Sequence, residues 1–205
     1  MSVITNEDSG TTAALDEGRD VERVRAMLGP LPPPRAWPAL VVLVGPPGSG
    51  KSTLTRALAE RLAVVSLDGE RIRSELFAAP DYSFRESQRV GRAVRTLVGE
   101  LLDQRLTVVY DDSNLTEWER QPLYTLAEAH RVRLVLVHVT SPMSVILGRI
   151  QGLAEADRHD TVSRVELYER MAGRYEPITR PHLTVDTSHD IRQFVEGVIL
   201  DLEEG

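Results

Sequence analysis

The stretch "ALVVLVGPPGSGKSTL", residues 39–54, constrains this chain more than any other. Six apolar residues run unbroken into a glycine-rich turn, and a helical pattern follows. Gly45 to Ser52 fit the spacing G-x-x-x-x-G-K-[ST] in the strand, loop and helix context that gives it meaning. Gly45, Gly48 and Gly50 omit the Cβ atoms that would stop a backbone curling round an anion. The segment Gly45, Pro46, Pro47, Gly48, Ser49, Gly50, Lys51, Ser52 and Thr53 is therefore expected to wrap a phosphate chain at a helix N-terminus. Lys51 is the single lysine in a chain that uses arginine at every other basic position. On an exposed loop, a compact ammonium reaches β and γ phosphates where a planar guanidinium fits poorly. Ser52 then offers its hydroxyl to Mg²⁺, so the expected ligands are ATP and Mg²⁺.

The rest of the chain supports a domain built around that loop. "LAVVSL" (62–67), "LTVVYD" (106–111), "VRLVLVHVT" (132–140) and "LTVDTS" (183–188) are short and rich in Val and Leu, and mostly lack polar alternation, as parallel strands buried on both faces do. Amphipathic segments at 51–61, 69–77, 84–103, 117–129, 142–150, 161–175 and 189–203 alternate with them, which predicts a three-layer α/β domain over residues 39–205. Ligands are then expected outside the carboxyl ends of the strands. Ahead of it, residues 1–12 read as a disordered leader, and 13–38 as a helix followed by a stiff proline-rich link. With 205 residues, 41% of them hydrophobic, the chain can bury one good core. Its net charge of −7 excludes a global field that would recruit nucleic acid or an anionic membrane, so any anion site is local. It has no cysteine, which excludes disulfides and thiolate chemistry, and the polar N-terminus and short apolar runs point to a cytoplasmic protein.

Two acidic clusters fall where chemistry is expected. Asp68, in "SLDGERIRSEL", ends the second strand with Arg71 three residues on. A carboxylate there can accept the proton of an attacking hydroxyl while the arginine holds the acceptor; Asp before a helix also serves as an N-cap, and the two roles are compatible. Asp111, in "VVYDDSNLTEWER", ends the third strand, where it can join the Mg²⁺ shell or cap the helix beginning at Glu117.

At these residues the chain resembles the small P-loop kinases related to bacteriophage polynucleotide kinase, the zeta toxins and chloramphenicol phosphotransferase, an AAA-type ATP-binding kinase-like group. The likeness covers about residues 39–188 through "GPPGSGKST", "DGER", "DDSNLT" and "RYEPITRPHLTVDTS". It implies a P-loop kinase fold with a five-stranded parallel sheet in the order 2-3-1-4-5 and a lid at about 142–165. It further implies Asp68 as general base, Arg71 and Asn114 at the acceptor, and Ser52 and Asp111 at the metal. Arg158, in "EADRHDTV", matches the lid arginine that offsets charge on the moving phosphoryl, and Arg149 would flank the adenine. "LDGERIRSEL" and the helix from Phe84 also resemble adenylylsulfate kinase, which ranks second because "DDSN" stands where an Ile-Ser-Pro run is expected.

Arg85, Arg89 and Arg92 fall at i, i+4 and i+7 on one helix face, where they would grip an anionic acceptor or form a solvated basic face. Trp37 and Trp118 read as packing anchors, and the five histidines show no metal-ligand spacing. The expected reaction is transfer of the ATP γ-phosphoryl to a hydroxyl of a small molecule, nucleotide or polynucleotide 5′ end. The rival expectation is a nucleotide-gated regulatory protein with slow ATPase activity.

Overall fold

The computed structural model describes residues 7–157 and 161–203. Strands β1 (Ala39–Val44), β2 (Val64–Asp68), β3 (Thr107–Asp111), β4 (Arg133–Thr140) and β5 (Leu183–Asp186) form one all-parallel sheet in the order β2-β3-β1-β4-β5, the order expected. Parallel strands need helical crossovers, and these bury both faces of the central strands β1 and β3, which read as continuous apolar runs; edge strand β2 alternates instead, leaving Ser66 and Asp68 exposed. On β1, Leu40, Val42 and Val44 enter one core while Ala39, Val41 and Leu43 enter the other.

The first core is closed by α1 (Glu7–Ala26), α3 (Gly69–Leu76), α4 (Phe84–Asp103) and α5 (Glu117–His130). The second is closed by α2 (Lys51–Ala59) and α8 (Arg192–Glu203). Between β4 and β5, α6 (Met143–Asp157) and α7 (Thr161–Ala172) pack on each other through a small cluster of their own, Ile146, Ile150 and Tyr168. Register aligns the strand ends that matter: Asp68 of β2 pairs with Asp111 of β3, and Leu43 of β1 pairs with that same Asp111.

Helix α1 begins at Glu7, inside the stretch expected to be without structure. Acidic residues at a helix N-terminus favour it, and Val21 and Val24 hold its second half in the core. The proline link is clamped as well: Arg35 N–H donates to Arg105 O at 2.8 Å, and Arg105 Nε returns a bond to Arg35 O at 3.2 Å. Among the described residues, no helix is long and apolar enough to cross a membrane.

Candidate active site

The loop from Gly45 joins β1 to α2, and Gly50 caps α2 at φ 97°, a left-handed conformation that suits glycine. A Cβ there would also stand 2.6 Å from Thr187 Oγ1, so Gly50 lets the loop lie against the end of β5. Ser113 O accepts from Gly45 N–H at 2.9 Å, and Asn114 Nδ2 donates to Leu43 O at 2.8 Å. Asn114 thus ties the segment after β3 to the start of the loop, a scaffolding contact that the sequence reading did not assign to it.

Lys51 is buried rather than exposed. Its Nζ donates to Gly45 O at 2.9 Å and Pro46 O at 3.1 Å, turned back on the loop's own carbonyls. Burial pushes its pKa down, against the pull of Asp111, Asp112, Glu70 and Asp68. Asp111 is buried beside it and accepts from Thr55 Oγ1 at 3.2 Å; burial raises its pKa, while Lys51 and the Ser52 and Thr55 hydroxyls counter that rise. Ser49 Oγ is buried in the loop with no hydrogen-bond partner among the described residues.

These residues fit MgATP. A curled backbone, an ammonium held in reserve and an orphaned hydroxyl surround the place a phosphate chain would take. Ser52 and Asp111 are two oxygen donors of the kind Mg²⁺ shares with nucleotide phosphates and water. Among the described residues, no group of three or more His, Asp or Glu could hold an ion by itself, so the metal would arrive with its nucleotide. A cleft of about 1380 Å³ runs along the outside of the loop past Ser52, Thr53, Arg149 and His189. Arg149 donates to Gly48 O (3.1 Å), Thr187 Oγ1 (2.9 Å) and Thr187 O (2.7 Å), so its guanidinium edge is occupied and only its flat face is left for a base.

A second pocket, of about 810 Å³, opens at the carboxyl ends of β2 and β3 between α3, α4, α5 and α7. Its polar wall is made by Glu70, Arg73, Arg95, Asp112, Tyr82 and Tyr110. Tyr110 donates its hydroxyl proton to Asp112 Oδ2 at 2.7 Å, and Tyr82 donates to Glu70 Oε2 at 2.9 Å. Burial, then the nearby Asp112 charge, raises the pKa of Glu70; burial and Glu70 push Tyr82 up to about 12. Arg73 is buried, pairs with Glu86 at 3.1 Å and lies over the Tyr82 ring at 5.0 Å.

The residues picked out from the sequence divide around this pocket. Asp68 caps α3, its Oδ1 accepting from Arg71 N–H at 3.1 Å. Asp68 and Arg71 both line a shallow groove under α1 with Val24, Met27 and Leu28, whereas Arg73, two residues on from Arg71, enters the pocket. Arg89 is held by Asp20 of α1 through two bonds, Nε at 2.5 Å and Nη2 at 2.7 Å. Arg85 and Arg92 are exposed, and none of that arginine stripe lines the pocket. Arg158 lies outside the described residues. Trp37 (71% exposed) and Trp118 (46%) anchor no core; Trp118 borders the pocket and meets the Phe84 ring at 4.8 Å. The sequence reading missed Glu70, Arg73, Arg95 and Asp112. For two of them a signal existed, since "DGE" and "DDS" each place a second acid at a strand's carboxyl end.

A five-stranded parallel sheet in this order, with a Lys-Ser phosphate loop after β1, defines a P-loop kinase-like, ATP-binding fold. The chain belongs to the AAA domain family AAA_33, whose model matches residues 40–178. Over 156 residues it is 24% identical to the L-seryl-tRNA(Sec) kinase of Methanococcus maripaludis, a match that covers 74% of this chain and 60% of that protein's length. In structure it is similar to the APS kinase of Mycobacterium tuberculosis in complex with AMPPNP and APS, with a TM-score of 0.61 and 22% identity over 84% of this chain and all of that one. A gluconokinase from Sinorhizobium meliloti 1021 has a TM-score of 0.58 and 23% identity, covering 83% of this chain and 94% of that one. Likeness of that degree to solved structures shows the fold.

Proposed function

We propose that the protein transfers the γ-phosphoryl group of ATP to a hydroxyl on an acceptor seated in the pocket between α3, α4, α5 and α7. The observation that carries this reading is the pocket itself. It adjoins the phosphate loop closely enough for the charges of Glu70 and Asp112, both in its wall, to act on Lys51. A protein that only binds and slowly hydrolyses nucleotide has no use for an enclosed second site there.

The acceptor oxygen forms a bond to Pγ, the bond from Pγ to the β,γ-bridging oxygen breaks, and the acceptor's proton passes to a carboxylate. Asp68 takes that proton, the role given to it by the resemblance to the phage polynucleotide kinase, zeta toxin and chloramphenicol phosphotransferase group. Asp68 is bonded through one oxygen and ends β2 in register with Asp111, although it borders the groove with Arg71 rather than the pocket; Asp112 lines the pocket but accepts through both oxygens, from Tyr110 and from Ser113 N–H at 2.7 Å. Arg73 orients the acceptor in the place expected of Arg71, because Arg73 is the one that reaches the pocket. Lys51 leaves its two carbonyls for the phosphates, and Arg149 offers its face to the adenine. Ser52 and Asp111 would hold Mg²⁺, which supplies positive charge to the phosphate oxygens. The α6–α7 pair serves as the lid, and the family resemblance supports Arg158, which falls between those helices in sequence, as its transition-state cation.

Incubation with γ-labelled ATP and a panel of nucleosides, 5′-hydroxyl oligonucleotides, adenylylsulfate, sugars and hydroxy acids tests the reading. Label is expected to leave ATP for an acceptor, with Asp68→Asn slowing transfer by about a hundredfold or more at nearly unchanged ATP affinity. Hydrolysis that no acceptor stimulates would reject the kinase. Activity that survives Asp68→Asn and is lost in Asp112→Asn would move the base to Asp112.

A further inference from the structure

The pocket's acids are satisfied, whereas two of its arginines keep donors without a partner among the described residues. Glu70 accepts from Tyr82, Asp112 from Tyr110 and Ser113, and Glu119 from Thr116 N–H at 2.9 Å while lying 3.5 Å from Arg174. Arg73, with its side chain 8% exposed, uses Nη1 on Glu86 and Nη2 on Ser87 at 3.4 Å, but its Nε is buried with no partner among the described residues. Arg95 also lines this pocket and is half-buried, and among the described residues it makes no hydrogen bond or ion pair. Burial lowers its pKa; Tyr110 and Glu17 oppose that shift, and Arg92 adds to it. One turn earlier on α4, the place a Gly91 Cβ would take is 3.0 Å from Arg95 Nη1, so the glycine makes room for the guanidinium to lie against the helix. A guanidinium N–H turned into a pocket without an acceptor is costly, and proteins keep such groups where a ligand supplies the acceptor.

Glu70 and Asp112 lie toward Lys51, on which their charges act, and Arg73 sits over the Tyr82 ring beside Glu70; Arg95 lies farther off, toward Tyr110 and α1. We propose that Arg73 and Arg95 form a seat for an anionic group of the acceptor, a phosphate, sulfate or carboxylate, with the acceptor's reacting hydroxyl directed toward the phosphate loop. Only the hydroxyl half of this statement rests on the kinase reading; the anion seat stands on the arginines. It is a different group of side chains from the exposed stripe on the same helix.

The test uses the full chain with the phosphate loop saturated by the magnesium complex of AMPPNP, whose γ-phosphoryl fills the position that ADP would leave open to an added anion. Sulfate, phosphate and glycolate are titrated separately, reading Trp118 fluorescence in a Trp37→Phe background. Saturable binding of at least one is expected, weakened about tenfold or more by Arg95→Gln, the scale of losing a charge-assisted hydrogen bond, and unchanged by Arg92→Gln. Which anion binds separates the three sources. Absence of saturable binding, or equal binding to Arg95→Gln, overturns the proposal. Without ligand, Arg95→Gln is expected to melt at or above the wild-type temperature, because it removes a half-buried charge that has no ion-pair partner among the described residues. A lower Tm would assign Arg95 to the scaffold and overturn the proposal as well. In the transfer assay, sugars are paired with their phosphates and hydroxy acids with their amides. The anionic member is expected to lead in kcat/KM, with the lead lost in Arg95→Gln. Transfer to neutral members as fast as to their anionic partners would sink the anion seat and keep the kinase. Arg95-dependent anion binding without transfer to any acceptor would do the reverse.

Discussion

Gly69 is the residue at which one added methyl group has the clearest consequence. A Cβ there would lie 2.4 Å from both Cγ and Oδ2 of Asp112, so Gly69→Ala has to push that carboxylate away and break its bond with Tyr110. Alanine suits a helix better than glycine does, so the fold is expected to tolerate the change. Single-turnover measurements should show phosphoryl transfer slowed by about tenfold to a hundredfold, the scale of shifting an acceptor by about 1 Å when a wall of its pocket moves, with ATP affinity intact. Lys51 calls for the opposite outcome. Because its stem is buried and its ammonium bonds to loop carbonyls, Lys51→Met preserves the packing and removes the charge. Calorimetry is expected to show ATP binding lost while the thermal melt changes little; unchanged affinity would reject the phosphate-loop assignment.

At the scale of elements, the pocket depends on one side chain that reads as ordinary in the sequence. Arg120 of α5 follows Glu117 by three residues, the spacing of an exposed helix pair, yet it is fully buried. It donates to Asn114 O (3.0 Å), Leu115 O (2.8 Å), Glu176 O (3.0 Å) and Pro177 O (3.3 Å), binding the segment after β3 to the segment before β5. Arg120→Met would fill much of the volume and leave those carbonyls unpaired. Urea unfolding should show a loss of about 3–5 kcal/mol, the scale of breaking a buried charged network from one side. The Thr116 capping box at the start of α5 is, by contrast, a local device, with Thr116 Oγ1 accepting from Glu119 N–H at 3.3 Å and Glu119 Oε2 accepting from Thr116 N–H at 2.9 Å.

Across the whole molecule, α1 is part of the domain rather than an appendage. It buries Val21 and Val24, offers Glu17 to Thr96 at 3.1 Å, and pairs Arg23 with Glu75 and Arg25 with Glu100. Asp20, with its side chain 3% exposed, is the innermost of these contacts and holds Arg89. Asp20→Ala is expected to lower stability by about 1–3 kcal/mol, toward the low end because Arg89 is itself partly open to solvent. ATP affinity should stay unchanged, since α1 lies on the α3–α4 face and not along the phosphate loop. A loss of ATP binding in this variant would show that the two are coupled.

The sequence by itself determined what is local or repeated along the chain. The phosphate loop is nine contiguous residues whose conformation depends on its own glycines and the helix it opens, and strands buried on both faces announce themselves by lacking polar alternation. Segment 84–103 was legible as a helix to the residue, because its apolar period is long and Ser83 caps it with Glu86 in the first turn. Tertiary structure decided which way that helix faces. Its arginine stripe forms a proper row in sequence, but Asp20, on a helix 69 residues earlier, takes Arg89 and turns the row from the pocket, while Arg95 and Arg73 point inward. Rotation of a helix about its axis is set by what packs on every side of it, and those contacts lie far apart in the chain. For the same reason Asn114, expected at the acceptor, lines the pocket and also ties the segment after β3 to the start of the phosphate loop, while Arg120, which no local pattern singles out, joins that segment to the one before β5.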